Sequence, residues 1–166
     1  MNMHFIKDFA EKLIANGFVY SEKPIMGCTT GEIEDLEKKL QIKFPSIYRD
    51  YLRILGQGSG DFLRGEEHSY PDLLDLQQGA KELLEEWNCA YRLPPTAFVF
   101  WMSQGTQFTF FDCAAGDDPP VFHYREGYAE PVRRDDHYSE MLERWLDQQI
   151  EIRKRISELD AGNDSN

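Results

Sequence analysis

Positive charge is scarce in this chain. Lys and Arg number 18 against 30 Asp and Glu, a formal net charge of −12 over 166 residues. That balance argues against direct nucleic acid binding, because phosphates gather Lys and Arg clusters. It argues equally against anionic membrane surfaces. Cysteine is also rare. Cys28, Cys89 and Cys113 are odd in number, widely spaced and form no CxxC pair. A disulfide framework and a thiolate zinc site are therefore not expected, and the three read as small buried hydrophobes. Long apolar runs are missing. The longest, Ala97 to Met102, has six residues, too few to cross a bilayer. Lys7, Asp8, Glu11 and Lys12 stand where a signal peptide would need apolar residues, so a cytoplasmic protein is expected.

Catalytic signatures are missing as well. No GK[ST], GxSxG or HExxH occurs. "EEH" (Glu66 to His68) and "DDH" (Asp135 to His137) offer metal-ligating side chains, but adjacent residues rarely converge on one ion. Both read as solvated loops. His4 and His123 have no identifiable partner. "GQGSGDF", from Gly56 to Phe62, looks superficially like a phosphate loop. It follows a helical pattern rather than a strand, so it reads as a helix exit with a tight turn. No metal, no cofactor and no catalysis are expected.

What is present is a globular composition, 41% hydrophobic and 13% aromatic. No repeat or linker divides it, so one domain is expected over 1–160, with a disordered tail over 161–166. Phe5, Ile6, Phe9, Leu13 and Ile14 predict a helix over Met3 to Ala15, stopped by Gly17. Thr29 and Glu32 have capping-box spacing ahead of Ile33, Leu36 and Leu40. Pro45 opens a third helix with Ile47, Tyr48, Tyr51, Leu52 and Leu55 inward and Gly56 as its cap. Leu73 to Trp87 predicts a fourth helix with Leu76, Ala80, Leu83, Leu84 and Trp87 inward. Tyr138 to Leu159 predicts the last, with Met141, Leu142, Trp145 and Leu146 inward.

Between the last two helices the period changes to two. Phe98, Phe100 and Met102 are expected on one face of a strand, Val99 and Trp101 on the other. A turn at Ser103 to Thr106 leads to Phe108–Phe111. "GDDPP" (Gly116 to Pro120) then leads to a third strand, Val121 to Tyr124. A base-stacking sheet would interleave these rings with basic residues, and Ala97 to Cys113 contains no Lys or Arg. The strands therefore read as a sheet buried under helices.

"TTGEIEDLEKKLQIKFPSIYRDYLRILGQGSGDF" joins a Thr-capped E-I-x-x-L-E-x-x-L helix (Glu32, Ile33, Leu36, Glu37, Leu40) to an F-P-x-x-Y-R-D-Y-L run (Phe44, Pro45, Tyr48, Arg49, Asp50, Tyr51, Leu52). This resembles the signature segment of the SMI1/KNR4 family of the SUKH superfamily. "FVFWMSQGTQFTFFDCAAGDDPPVFHY" is similar to the strands that follow in that family. Two features depart from it: the exit loop lacks the Asn-Gly often found there, and the charged C-terminal extension is long. The resemblance implies an α+β fold with a central antiparallel sheet flanked by helices. It also implies a non-catalytic bacterial immunity protein that binds and neutralises a cognate protein toxin, often a nuclease. Alternatives are a regulatory or scaffold module for another protein, as in fungal relatives, and a small-molecule pocket beside Trp101 and Phe110.

Charge density and loop position select candidate partner-binding residues. Residues 61–90 carry Asp61, Glu66, Glu67, Asp72, Asp75, Glu82, Glu85 and Glu86 against Arg64 and Lys81, half of the chain's net charge. From these, Asp61, Glu66, Glu67, Asp72 and Asp75, with the turn residues Asp117 and Asp118, are expected to meet the basic cleft of a toxin.

Overall fold

A computed structural model of the chain describes residues 3–164. Among them, five helices and two antiparallel sheets form an α+β fold. Helix α1 (Met3–Ala15) buries Ile6, Phe9, Ala10 and Leu13, while Ile14 at the end of the expected stripe is exposed. Helix α2 (Thr30–Leu40) starts with the foreseen capping box: Glu32 N donates to Thr29 Oγ1 at 3.1 Å, and Thr29 N donates to Glu32 Oε2 at 2.8 Å. Helix α3 (Ser46–Leu55) buries Ile47, Tyr48, Tyr51, Leu52 and Leu55, as its period predicts. The two helices are tied by Glu37, 2% exposed, which meets Arg49 Nε at 3.0 Å and Lys43 Nζ at 3.1 Å.

Gly56 does cap α3, but in a right-handed conformation with φ −61°. Proximity, not a left-handed backbone, calls for glycine there: an added Cβ would lie 2.6 Å from both Cys28 Sγ and Leu52 O. Gly60 needs glycine twice over, with φ +64° and the Phe18 carbonyl filling the space of a side chain. Between them, β2 (Gly58–Ser59) pairs with β1 (Ile25–Met26) inside stretches that read as loops. Two-residue strands have no periodicity to detect.

The main sheet has the order β3 (Ala97–Ser103), β4 (Gln107–Asp112), β5 (Val121–Arg125), β6 (Val132–Asp135). Three strands were foreseen; β6 reads "VRRD" and offers no apolar alternation. A bulge between Val99 and Trp101 corrects the expected faces. It brings Trp101 round to the side of Phe98 and Phe100, where these rings meet Tyr48 of α3 and Tyr138 and Trp145 of α5 (Tyr138–Asn163). Met102 passes to the side of Val99, against Gly79 of α4 (Leu73–Glu86). Helices α3 and α5 thus cover one face and α4 the other.

The ring-rich hairpin is interior. Phe98, Val99, Phe100, Met102, Phe108, Phe110 and Phe111 are all buried, and Trp101 is 9% exposed. Burying such side chains contributes roughly 1.5–3 kcal/mol each. The last helix continues to Asn163, through residues 161–163 of the expected tail; Ser165 and Asn166 lie outside the described residues.

Candidate partner-binding surfaces

The seven predicted acids sit on three elements, and their side chains have different occupations. Asp61, in the loop after β2, is largely enclosed. It accepts from Tyr20 Oη at 3.0 and 3.2 Å and pairs with Arg153 at 3.5 Å. Glu66 is half-buried, and Glu67 is exposed. The Glu67 main chain bridges to Met102, N to O at 3.0 Å and O to N at 2.9 Å. Asp118 caps α5: its carboxylate accepts from Ser139 N at 3.0 Å and Ser139 Oγ at 2.6 Å. The Asp118 carbonyl lies 2.9 Å from His137 Nδ1, while the Asp117 carbonyl accepts from Ile47 N at 3.2 Å. Asp61 and Asp118 therefore hold the molecule together as well as charging its surface.

Asp72 and Asp75 belong to a different setting. They open α4, whose outward face also carries Glu82, Glu85 and Glu86, all exposed. Among the described residues none of these five forms a salt bridge. Trp87 is the C-cap of the helix, with φ −93° and ψ +11°. It is 47% exposed rather than inward as the helical period predicts, and Leu74 at the other end is 41% exposed. An unneutralised acidic face flanked by two apolar side chains has the composition of a protein-docking surface, with apolar anchors inside a charged field.

A second feature lies on the opposite side of the sheet. A cleft of about 460 Å³ is lined by Trp101, Thr109, His123 and Arg134 from the sheet, Arg144, Trp145 and Ile152 from α5, and Asp61, Arg64 and Glu66 from the loop. Trp101 and Trp145 stand 5.5 Å apart at 50°. The Trp101 Nε1 and Glu66 Oε2 atoms are buried and have no hydrogen-bond partner among the described residues. Arg144 is bound to Asp135 through two hydrogen bonds of 2.8 and 2.7 Å, and Arg64 is 4.0 Å from Asp61. Arg134 has no carboxylate partner among the described residues; its Nη2 lies 3.4 Å from Tyr128 Oη. His123 faces Thr109 Oγ1 through Nδ1 at 3.1 Å. Burial, reinforced by Arg134, Arg144 and Arg125, pushes the His123 pKa down to about 4, so its ring is neutral at pH 7.

Sequence reasoning singled out Trp101 as a pocket residue, and it does line this cleft. Phe110 does not: it lies on the other face of the sheet, against Phe108, Phe122 and Tyr91. Arg134, Arg144 and Trp145 were not foreseen as site residues, because the bulge and β6 that bring them to Trp101 leave no local signature. Burial raises the pKa of Cys28 and Cys113 to about 12, opposing thiolate chemistry at either. Among the described residues no three His, Cys, Asp or Glu side chains are placed to hold a metal ion. Nor is any helix there long and apolar enough to cross a membrane.

Comparison with curated proteins returns no match. The family model for SMI1/KNR4, also termed SUKH-1, matches residues 27–144, from just after β1 through the sheet to the first turns of α5. With most of its length matched and the α+β architecture in place, the chain belongs to the SMI1/KNR4 (SUKH-1) family.

Proposed function

We propose that this protein is a non-catalytic immunity protein that binds a cognate toxin, a nuclease by preference, and neutralises it by covering its basic active site. The family, whose members are commonly immunity proteins, supplies the class of function. The observation that carries the mechanism is the α4 face, where Asp72, Asp75, Glu82, Glu85 and Glu86 are exposed and, among the described residues, form no salt bridge, beside Trp87. A nuclease cleft is positive because it holds phosphates, so carboxylates compete for the same field. Long-range charge then sets the encounter rate, and Trp87 supplies a desolvated anchor that sets the lifetime. Glu66, Glu67, Asp117 and Asp118 extend the negative field without being required as contacts.

Affinity capture from the producing cell, followed by mass spectrometry, identifies the partner. Mixing the purified pair at equal concentration tests the mechanism. The expected outcome is a toxin whose activity disappears on stoichiometric addition of this chain. A captured partner with unchanged activity in the complex would sink the immunity reading.

A further inference from the structure

The cleft beside Trp101 does not end at its rim. Helix α5 carries Trp145, Gln149, Ile152, Ile156 and Leu159 three or four residues apart, so they share one face. Trp145, Gln149 and Ile152 line the cleft. Ile152, Ile156 and Leu159 are 55%, 53% and 69% exposed, and they continue the apolar surface outward. This part of α5 lies beyond the segment matched to the family.

We propose that the cleft and the outer face of α5 form one docking surface for an acidic, apolar-anchored segment of a partner polypeptide. The buried polar atoms select a main chain. Among the described residues Trp101 Nε1 is a donor without an acceptor and Glu66 Oε2 an acceptor without a donor; a peptide backbone brings a C=O and an N–H side by side. An uncompensated buried polar group is costly, so a segment that satisfies both gains from each. Charge selects acidic flanks. Arg134 lacks a carboxylate partner among the described residues, Arg64 is held loosely, and a basic segment would meet both. Extent selects a polypeptide over a small molecule. A ligand confined to 460 Å³ leaves Ile156 and Leu159 bare, whereas a chain leaving the cleft along α5 covers them. The cleft lies across the sheet from the α4 face and presents Arg134, where that face presents carboxylates, and the inference stands whether or not that face binds a toxin.

A random dodecapeptide display library, selected on the intact chain with Arg134→Glu as the counter-selection target, tests this. The expected consensus places Asp or Glu around a Leu, Ile, Phe or Trp. A synthetic peptide of that consensus should quench or shift indole fluorescence in a Trp87→Phe background. Its binding should weaken about tenfold or more in Arg134→Glu and in Ile152→Asp. Trp101→Phe, which keeps a ring and removes the N–H, should weaken it less. Thermal melts confirm that each variant is folded. A basic consensus, no enrichment over the Arg134→Glu protein, or peptide binding indifferent to Arg134 and Ile152 would overturn the proposal. So would dimerisation in solution abolished by Ile156→Asp, which would assign this helix face to a second copy.

Discussion

The side-chain amide of Gln77 pairs with both main-chain groups of Val99. Its Nε2 donates to Val99 O at 2.7 Å and its Oε1 accepts from Val99 N at 3.0 Å. Val99 lies on β3, the first strand of the sheet, so these groups have no strand beyond them. Gln77 thus acts as one rung of a missing strand, and the Glu67–Met102 bridge supplies another. This protects an apolar edge that would otherwise invite pairing with another chain. Gln77→Ala should destabilise the fold by about 2–6 kcal/mol, since two buried main-chain groups lose partners worth about 1–3 kcal/mol each. Urea unfolding measures the loss. A variant as stable as the parent would show that water satisfies Val99 equally well.

Glu37 and Arg49 form the other internal contact with a large expected effect. The Glu37 side chain is 1% exposed, and Lys43, its second partner, is 85% exposed. Arg49→Met should cost about 3–5 kcal/mol, because it strands a buried carboxylate. Adding Glu37→Met to that variant should restore most of the stability, as replacing a whole buried pair by apolar groups is often neutral. A double variant no better than the single one would mean that the pair does more than neutralise itself.

The legibility of this fold in its sequence followed the locality of each signal. The Thr29 capping box, the buried face of α3 and the aromatic hairpin are each written within a dozen residues, and the structure contains them. The bulge at Phe100 is not, because aromatic residues on both faces hide a change of phase. β1 and β2 are two-residue strands with no periodicity, and β6 is a polar edge. The acidic candidates Asp72 and Asp75 are exposed at the start of α4. Asp118 looked identical to them in sequence, yet its carboxylate is spent on Ser139, a contact between distant segments. Trp87 fits a helical stripe on paper, but its helix ends one residue earlier.

Protonation of two histidines sets a pH window. Burial pushes His68 and His123 down to about 4 from an ordinary 6.5. The unfolded chain therefore takes up protons between those values that the folded chain refuses. Their contribution is complete above pH 6.5 and is lost as pH falls towards 4. His137 is shifted upward by its bond to the Asp118 carbonyl, so its contribution is present at low pH and lost as pH rises through its folded value. It is fully exposed and the smaller influence. The urea midpoint should fall between pH 7 and pH 5, and His123→Gln should flatten that fall. Equal slopes in parent and variant would remove His123 from the account.

Under the proposed immunity function, charge and anchoring on α4 separate kinetically in the complex with the captured partner. Asp75→Lys, Glu82→Lys and Glu86→Lys together should slow association by tenfold or more, on the order of the steering that complementary fields provide. They should also flatten its dependence on salt, because the field that salt screens has been removed. Trp87→Ala leaves every charge in place, so association should barely change. Dissociation should instead accelerate, by roughly thirtyfold for an anchor worth about 2 kcal/mol. Stopped-flow association and surface-resonance dissociation read the two effects independently. Should the triple variant dissociate faster while associating normally, the carboxylates are contacts rather than a steering field, and the bound face of α4 is drier than its exposure implies.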